Sequence, residues 1–113
     1  MYRNAATFDI LRSVAFGTLT TSYAIVGSEL PTPAVCVSFT NNTNGIVYVS
    51  TDGIHDMIAI PAGWGKVFDI RTNAPNATDY LFPEGTPFLV KYSGSAPTSG
   101  SFYIEAVITQ VLP

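Results

Sequence analysis

Charged residues are few in this sequence. Of its 113 residues 12% are charged, with five Lys and Arg against eight Asp and Glu, whereas 47% are hydrophobic. An average soluble protein carries about 25% charged residues. Five basic side chains neutralise few phosphates, so we expect no nucleic-acid partner, and so apolar a chain is not intrinsically disordered. The composition predicts one well-cored domain with a neutral, polar surface, much of it covered by other protein molecules.

Cysteine and long apolar runs are also scarce. The single cysteine, Cys36, excludes an intramolecular disulfide and a thiolate metal cluster, and its apolar neighbours predict a buried strand thiol. No apolar run approaches the ~18 residues that span a bilayer, so we expect no membrane partner. The first nine residues lack the apolar core of a signal peptide, and we expect a protein made in a cytosol and not processed.

Catalytic groups are almost absent. The only histidine, His55, lies in the run Asp52-Gly53-Ile54-His55-Asp56, where carboxylates and imidazole could hold a metal ion. Turn chemistry explains the same run, because Asp side chains in turns bond their own backbone. No Gly-x-Ser-x-Gly nucleophile elbow is present. We therefore expect no enzymatic activity, no bound metal and no cofactor.

Gly and Pro interrupt the sequence at short intervals, and the segments between them are rich in β-branched and aromatic residues. This pattern predicts an all-β fold of roughly seven to nine strands, arranged as a two-sheet antiparallel β-sandwich. Jelly-roll, immunoglobulin-like and other Greek-key topologies fit the strand count equally well. The clearest strands are 34–40 and 101–111. One face of the second strand is formed by Phe102, Ile104, Ala106 and Ile108.

Turn signals predict how some of these strands connect. The pair Asn44-Gly45 is preferred in type I′ turns, so we expect a hairpin between strand 34–40 and the strand that follows it. The Ser-rich segment 94–100 predicts a flexible hairpin loop before the last strand.

Trp64 stands in a loop between two glycines. Its ring can therefore stand clear of the backbone, where it could anchor an interface or stack on a sugar, and tryptophan is enriched among interface hot spots. Alternatively, Trp64 folds back and caps one end of the sandwich. Three further aromatics could add a platform for a glycan, or belong to the core and its rim: Tyr80, Phe82 and Tyr92.

Several phrases read together resemble a known group of proteins. They are residues 8–17 and 23–27 and the runs Phe39-Thr40-Asn41-Asn42-Thr43, Ile60-Pro61-Ala62-Gly63 and Phe82-Pro83-Glu84-Gly85-Thr86. The chain resembles small virion structural proteins of tailed bacteriophages, particularly short ones encoded among the head and tail genes. The resemblance implies a repeated β-sandwich subunit without a cofactor, either a capsid decoration protein or a head–tail or tail component. It also implies location in the virion after synthesis in the host bacterial cytoplasm.

We expect the partners to be other copies of the chain and other virion proteins of the capsid, portal or tail. Residues 1–13 are expected to form an extended N-terminal arm or a short helix that contacts neighbours, and residues 14–113 the sandwich domain. Apolar residues left over from the core predict the interface: Tyr2, Phe8, Ile10, Leu11, Trp64, Tyr103, Val107 and Val111. The alternative function is a carbohydrate-binding or adhesin module that uses the loop aromatics around Trp64.

Overall fold

The computed structural model describes residues 4–70 and 81–111, which form two antiparallel sheets packed face to face. Its nine strands are β1 (Asn4–Phe8), β2 (Arg12–Ala15), β3 (Ala24–Ile25), β4 (Ala34–Asn41), β5 (Val47–Ser50), β6 (Ile58–Ile60), β7 (Gly65–Asp69), β8 (Leu89–Tyr92) and β9 (Ser101–Val111). One turn of 3-10 helix, Phe16–Thr18, follows β2. The all-β sandwich predicted from the sequence is confirmed.

The strands pair as one long antiparallel ribbon in which early strands meet late ones. Strand β2 pairs with β9, β3 with β8, β4 with β7 and β5 with β6. The ribbon then folds over, so that β9 also pairs with β4 and β8 with β5. The resulting sheet orders, β2-β9-β4-β7 and β3-β8-β5-β6, are those of a jelly roll. Of the topologies that the sequence left open, the jelly roll is the one observed.

This winding makes both predicted hairpins wrong. Strands β4 and β5 lie in different sheets, and neither Asn44 nor Gly45 has the positive φ that a type I′ turn needs. Instead, the Asn44 amide donates to Thr98 Oγ1 (2.7 Å) and accepts from Thr98 N (2.8 Å). Segment 94–100 likewise crosses between the sheets, from β8 to β9. The two crossing segments bind each other at one end of the sandwich.

Asn41 organises the first of these crossings. Its amide is fully buried, and its Nδ2 donates to the carbonyl oxygens of Gly45 (2.7 Å) and Ile60 (2.8 Å). Its Oδ1 accepts from Thr43 N (3.0 Å) and Thr43 Oγ1 (2.6 Å). Because a buried amide is costly unless its polar atoms are bonded, these four hydrogen bonds fix the path of the chain out of β4.

Gly100 fixes the second crossing. Its φ is +86°, and a Cβ atom there would overlap the backbone carbonyl oxygen of Asn42. Gly94, in the same segment, has a similar φ of +83° but open space where a Cβ would lie. Any side chain at position 100 therefore conflicts with both the backbone conformation and the neighbouring segment.

The core lies between the sheets and follows the strand alternation. The inward residues predicted for β9 are all buried, and Phe39 from β4 meets Phe88 edge-on at 5.9 Å between ring centroids. A bulge between Ala34 and Cys36 shifts the register, so that Ala34 and Val37 both face inward. Core residues from the smaller sheet include Val47, Val49, Ile60 and Val90.

The N-terminal segment is the edge of the larger sheet. Residues 4–8 pair with the end of β9 and residues 12–15 with its start, so the short helix allowed by the sequence is wrong over the described residues 4–13. Strand β9 has eleven residues, and its backbone groups need partners along their whole length. Two short strands joined by the link 9–11 provide them.

Candidate interaction surface

The candidate site is the outer face of the larger sheet, which points away from the core. Strand register brings its side chains together: Phe8 and Cys36 lie on either side of Val107, and Ser38 lies between Glu105 and Val67. We define the outer face by these residues together with Asp69 and Tyr103. Its centre is largely apolar, and Phe8 is 85% exposed. Apolar side chains clustered on a sheet face mark a surface suited to protein contact.

A groove of about 320 Å³ opens in this face beside the link 9–11. Phe8 and Leu11 form one wall, Val107 and Cys36 belong to the sheet beneath, and Glu105 lies at the polar end. This volume is near the small end of the ~300–1,000 Å³ range of ligand pockets. The groove can therefore take one large side chain, with an acidic group beside it.

The link that forms the groove wall is held from below by Arg12. This side chain is only 4% exposed; its Nη2 lies 2.8 Å from Asp9 Oδ2 and its Nε donates to the carbonyl oxygen of Ser28 (2.8 Å). Its guanidinium carbon lies 5.7 Å from the centroid of the Phe88 ring. Because Asp9 and Arg12 are tied down at both ends of the link, the backbone holds Ile10 (84% exposed) and Leu11 at the surface.

The polar groups of the groove are Ser38, Glu105 and the Cys36 thiol. Ser38 Oγ donates to Glu105 Oε1 at 3.2 Å, and the Glu105 side chain is otherwise exposed. Burial raises the pKa of the Cys36 thiol, and the negative charge of Asp69 adds to the effect. The thiol is half-buried on the outer face, so the fully buried thiol predicted from the sequence is wrong. A protonated thiol is a poor nucleophile, which fits a packing role.

Trp64 lies beyond the other end of this sheet, in the turn between β6 and β7. Its backbone is fixed, because Trp64 N donates to the Pro61 carbonyl (3.0 Å) and the Trp64 carbonyl accepts from Asn41 N (2.8 Å). Its side chain is 61% exposed. Of the two positions that the sequence allowed, the exposed one is observed and the core cap is not. Lys66, two residues later, is also exposed.

The predicted interface residues fall into two places. Phe8, Leu11 and Val107 meet at the groove, and Ile10 stands beside them on the link. Tyr103 lies on the outer face between Ser13 and Thr40, whereas Trp64 lies apart. The backbone of Val111 pairs with Asn4, and its side chain lies outside the described part. Tyr2 and Tyr80 lie outside the described residues.

Sequence reasoning did not bring Cys36, Ser38 and Glu105 into one site. A signal was present, because placing Val37 and Phe39 inward leaves Cys36 and Ser38 on the opposite side of the strand. Their position against Glu105 depends on the pairing of β4 with β9, which no local pattern encodes. The burial of Arg12 left no signal in the sequence.

The run around His55 is a turn built on Asp52. Asp52 Oδ1 accepts from the backbone N–H groups of Ile54 (2.8 Å) and His55 (2.9 Å), as turn chemistry predicted, and Oδ2 lies 2.7 Å from His55 Nδ1. The hydrogen bond to the imidazole is the largest cause that holds the pKa of Asp52 well below its usual range. The same bond raises the pKa of His55.

Asp56 in the same run makes different contacts. It accepts a hydrogen bond from the Tyr23 hydroxyl at 2.6 Å and lies 3.3 Å from Lys91 Nζ. The Tyr23 hydrogen bond is the main cause that lowers the pKa of Asp56. Within the described residues, no three His, Cys, Asp or Glu side chains are grouped as a metal site requires.

In the part of the chain that the structure describes, no helix is long and apolar enough to cross a membrane. The jelly roll by itself assigns no function, since one fold supports many. No protein-family model matches the chain, and no curated protein matches it.

Proposed function

We propose that this chain is a structural subunit of a tailed-phage virion, repeated in the particle and held there by packing of its outer face against other virion proteins. The observation that carries the proposal is the exposed apolar link and groove. Phe8, Ile10 and Leu11 stand at the surface, although the Arg12–Asp9 ion pair holds their backbone in place. A fixed display of large apolar side chains fits a surface that another protein covers.

The gain from covering this surface can be estimated. Complete burial of a Phe, Ile or Leu side chain contributes about 1.5–3 kcal/mol. Phe8, Ile10 and Leu11 are 85%, 84% and 51% exposed. Scaled by these fractions, covering the three side chains contributes roughly 3–7 kcal/mol per contact. In a repeated assembly such modest contacts combine, so each copy can bind moderately while the particle stays intact.

Fold and composition are compatible with this role. Jelly rolls are found in viral capsid domains, but also in lectin domains, so the fold does not choose between the two functions predicted from the sequence. With 12% charged residues, the surface has little charge to keep neighbouring copies apart. Close packing of many copies is therefore inexpensive in electrostatic terms.

The carbohydrate-binding alternative retains Trp64 and little else. The exposed ring could stack on a sugar, but Phe82 and Tyr92 pack against the hydrophobic core. A glycan platform would need several exposed aromatic side chains close together. The groove with its apolar wall favours a protein partner over a sugar.

The proposal is tested by measuring the chain in purified particles. Quantitative mass spectrometry of gradient-purified phage is expected to find the chain in many copies per particle. Phe8→Ser removes about 2 kcal/mol of buried contact, so its incorporation should fall more than about tenfold. Ile54→Ser is the matched control, because Ile54 is 76% exposed but lies in the turn after β5 of the other sheet. Absence of the chain from particles would refute the proposal.

A further inference from the structure

Trp64 and Lys66 together form a projecting group at one end of the larger sheet. They lie two residues apart, both are exposed, and Lys66 makes no ion pair within residues 4–70 and 81–111. Two residues of extended chain span about 7 Å. An aromatic ring and an ammonium group are thus presented side by side by a strand whose backbone is fixed.

The groove repeats this arrangement in complementary form. Its apolar wall lies at Val107 and Phe8, and Glu105 lies two residues before Val107 on the same face of β9. The apolar and acidic parts are therefore also about 7 Å apart. Glu105 bonds to Ser38 Oγ and has no ion-pair partner among the described residues. Shape, spacing and charge all match the Trp64–Lys66 pair.

The two features cannot meet within one chain. Trp64 precedes Gly65, which pairs with Thr40, whereas the groove is at Cys36 on the same strand β4. Four residues of strand separate these levels by about 13 Å, which exceeds the reach of an indole side chain. The complementary surfaces must therefore belong to two molecules.

We infer that a second copy of this chain docks on the outer face in a head-to-tail manner, with its Trp64 seated in the groove and its Lys66 paired with Glu105. This inference rests on the proposed function and names the contact between copies. Such a contact is heterologous, so it forms a ring if the rotation closes and an open row if it does not.

The size of the outer face agrees with a specific contact. Strand β9 has eleven residues and the sheet is four strand positions wide, which gives roughly 35 Å by 19 Å, or about 650 Å². Standard protein interfaces bury about 800 Å² on each partner. Groove, link and sheet face together can therefore supply a stable contact between two copies.

The test uses complementary variants of the purified full-length chain in sedimentation velocity. The wild type is expected to associate with rising concentration. Trp64→Ala, which keeps the groove, and Val107→Arg, which fills it, should each remain monomeric. An equimolar mixture of the two should give a species of two chains and nothing larger, because only one productive contact remains. A symmetric contact predicts no such rescue by mixing.

Charge reversal provides a second measurement that does not depend on a filled groove. Lys66→Glu and Glu105→Lys are both exposed changes and should each weaken association by about tenfold, whereas the double variant should recover it. Ile54→Ala is the control and should associate like the wild type. Circular dichroism and thermal unfolding establish that every variant is folded.

Three results would overturn the inference: a wild type that stays monomeric at its highest soluble concentration, a Trp64→Ala chain that associates normally, or a double charge variant without recovery. They are separable from failure of the proposed function. If particles contain the chain and lose it on Phe8→Ser, yet incorporate Trp64→Ala normally, only the head-to-tail contact is refuted. If Trp64→Ala instead abolishes binding on a glycan array and leaves association intact, the ring binds sugar.

Discussion

Replacing Arg12 with methionine should destabilise the protein strongly. The side chain is 4% exposed, and its removal leaves the carboxylate of Asp9, which is 10% exposed, without its ion-pair partner. Breaking a buried ion pair on one side costs about 3–5 kcal/mol, most of it from the remaining unpaired charge. We expect a loss of this size because methionine fills the space beside Phe88 but donates no hydrogen bond.

The assay is equilibrium urea unfolding of wild type and Arg12→Met under identical conditions. The midpoint should shift downward with an unchanged slope, as expected when stability alone changes. Lys66→Met is the matched control, since it also removes one positive charge but from an exposed side chain, and it should cost less than about 0.5 kcal/mol.

The double variant Asp9→Asn/Arg12→Met separates charge from packing. Once Asp9 is neutral, loss of Arg12 leaves no buried charge, so the double variant should be more stable than Arg12→Met alone. If Arg12→Met lies within about 1 kcal/mol of the wild type, the ion pair does not anchor the link as described.

Three further predictions concern the crossings and the turn. Gly100→Ala should cost about 3 kcal/mol or more and Gly94→Ala about 1 kcal/mol in urea unfolding, because only the first adds a backbone overlap to a positive φ; equal costs would refute the close approach. Asn41→Ala should cost about 3 kcal/mol, because it removes the donors and acceptor of four hydrogen bonds in a buried site, and a loss below 1 kcal/mol would contradict their role. The pKa of His55 should exceed 6.5 in an NMR titration and fall toward that value in Asp52→Asn. Since the folded-state pKa is raised, the stability from this contact is complete below pH 6.5 and is lost as the pH rises through the folded-state pKa, and a wild-type pKa at or below 6.5 would contradict it.

The core could be predicted because it follows a local pattern. Strand 101–111 alternates with period two, and the apolar set from Phe102 to Ile108 fixes which face is inward without knowledge of its partners. The jelly-roll winding could not be predicted in the same way. Within this winding β5 and β6 are the only consecutive strands that pair, so turn chemistry at Asn44-Gly45 carried little information about pairing.

The candidate surface could be predicted only in part. Apolar residues in excess of the core identified Phe8, Ile10 and Leu11, since their pattern fits no single inward face. The groove required long-range pairing that places Cys36 and Phe8 on either side of Val107. The buried position of Arg12 depends on the path of distant loops, because its partner carbonyl belongs to Ser28. Such placement is set by tertiary packing, which no short segment encodes.

The central claim is that the outer face is covered in the assembled particle. The single cysteine, Cys36, lies on this face, so its reaction rate with a maleimide probes the claim directly. We predict that Cys36 reacts at least about tenfold more slowly in intact particles than in the free protein. A cysteine placed by Ile54→Cys in a Cys36→Ser background should react at similar rates in both. Equal rates for Cys36 in particles and in free protein would contradict the account.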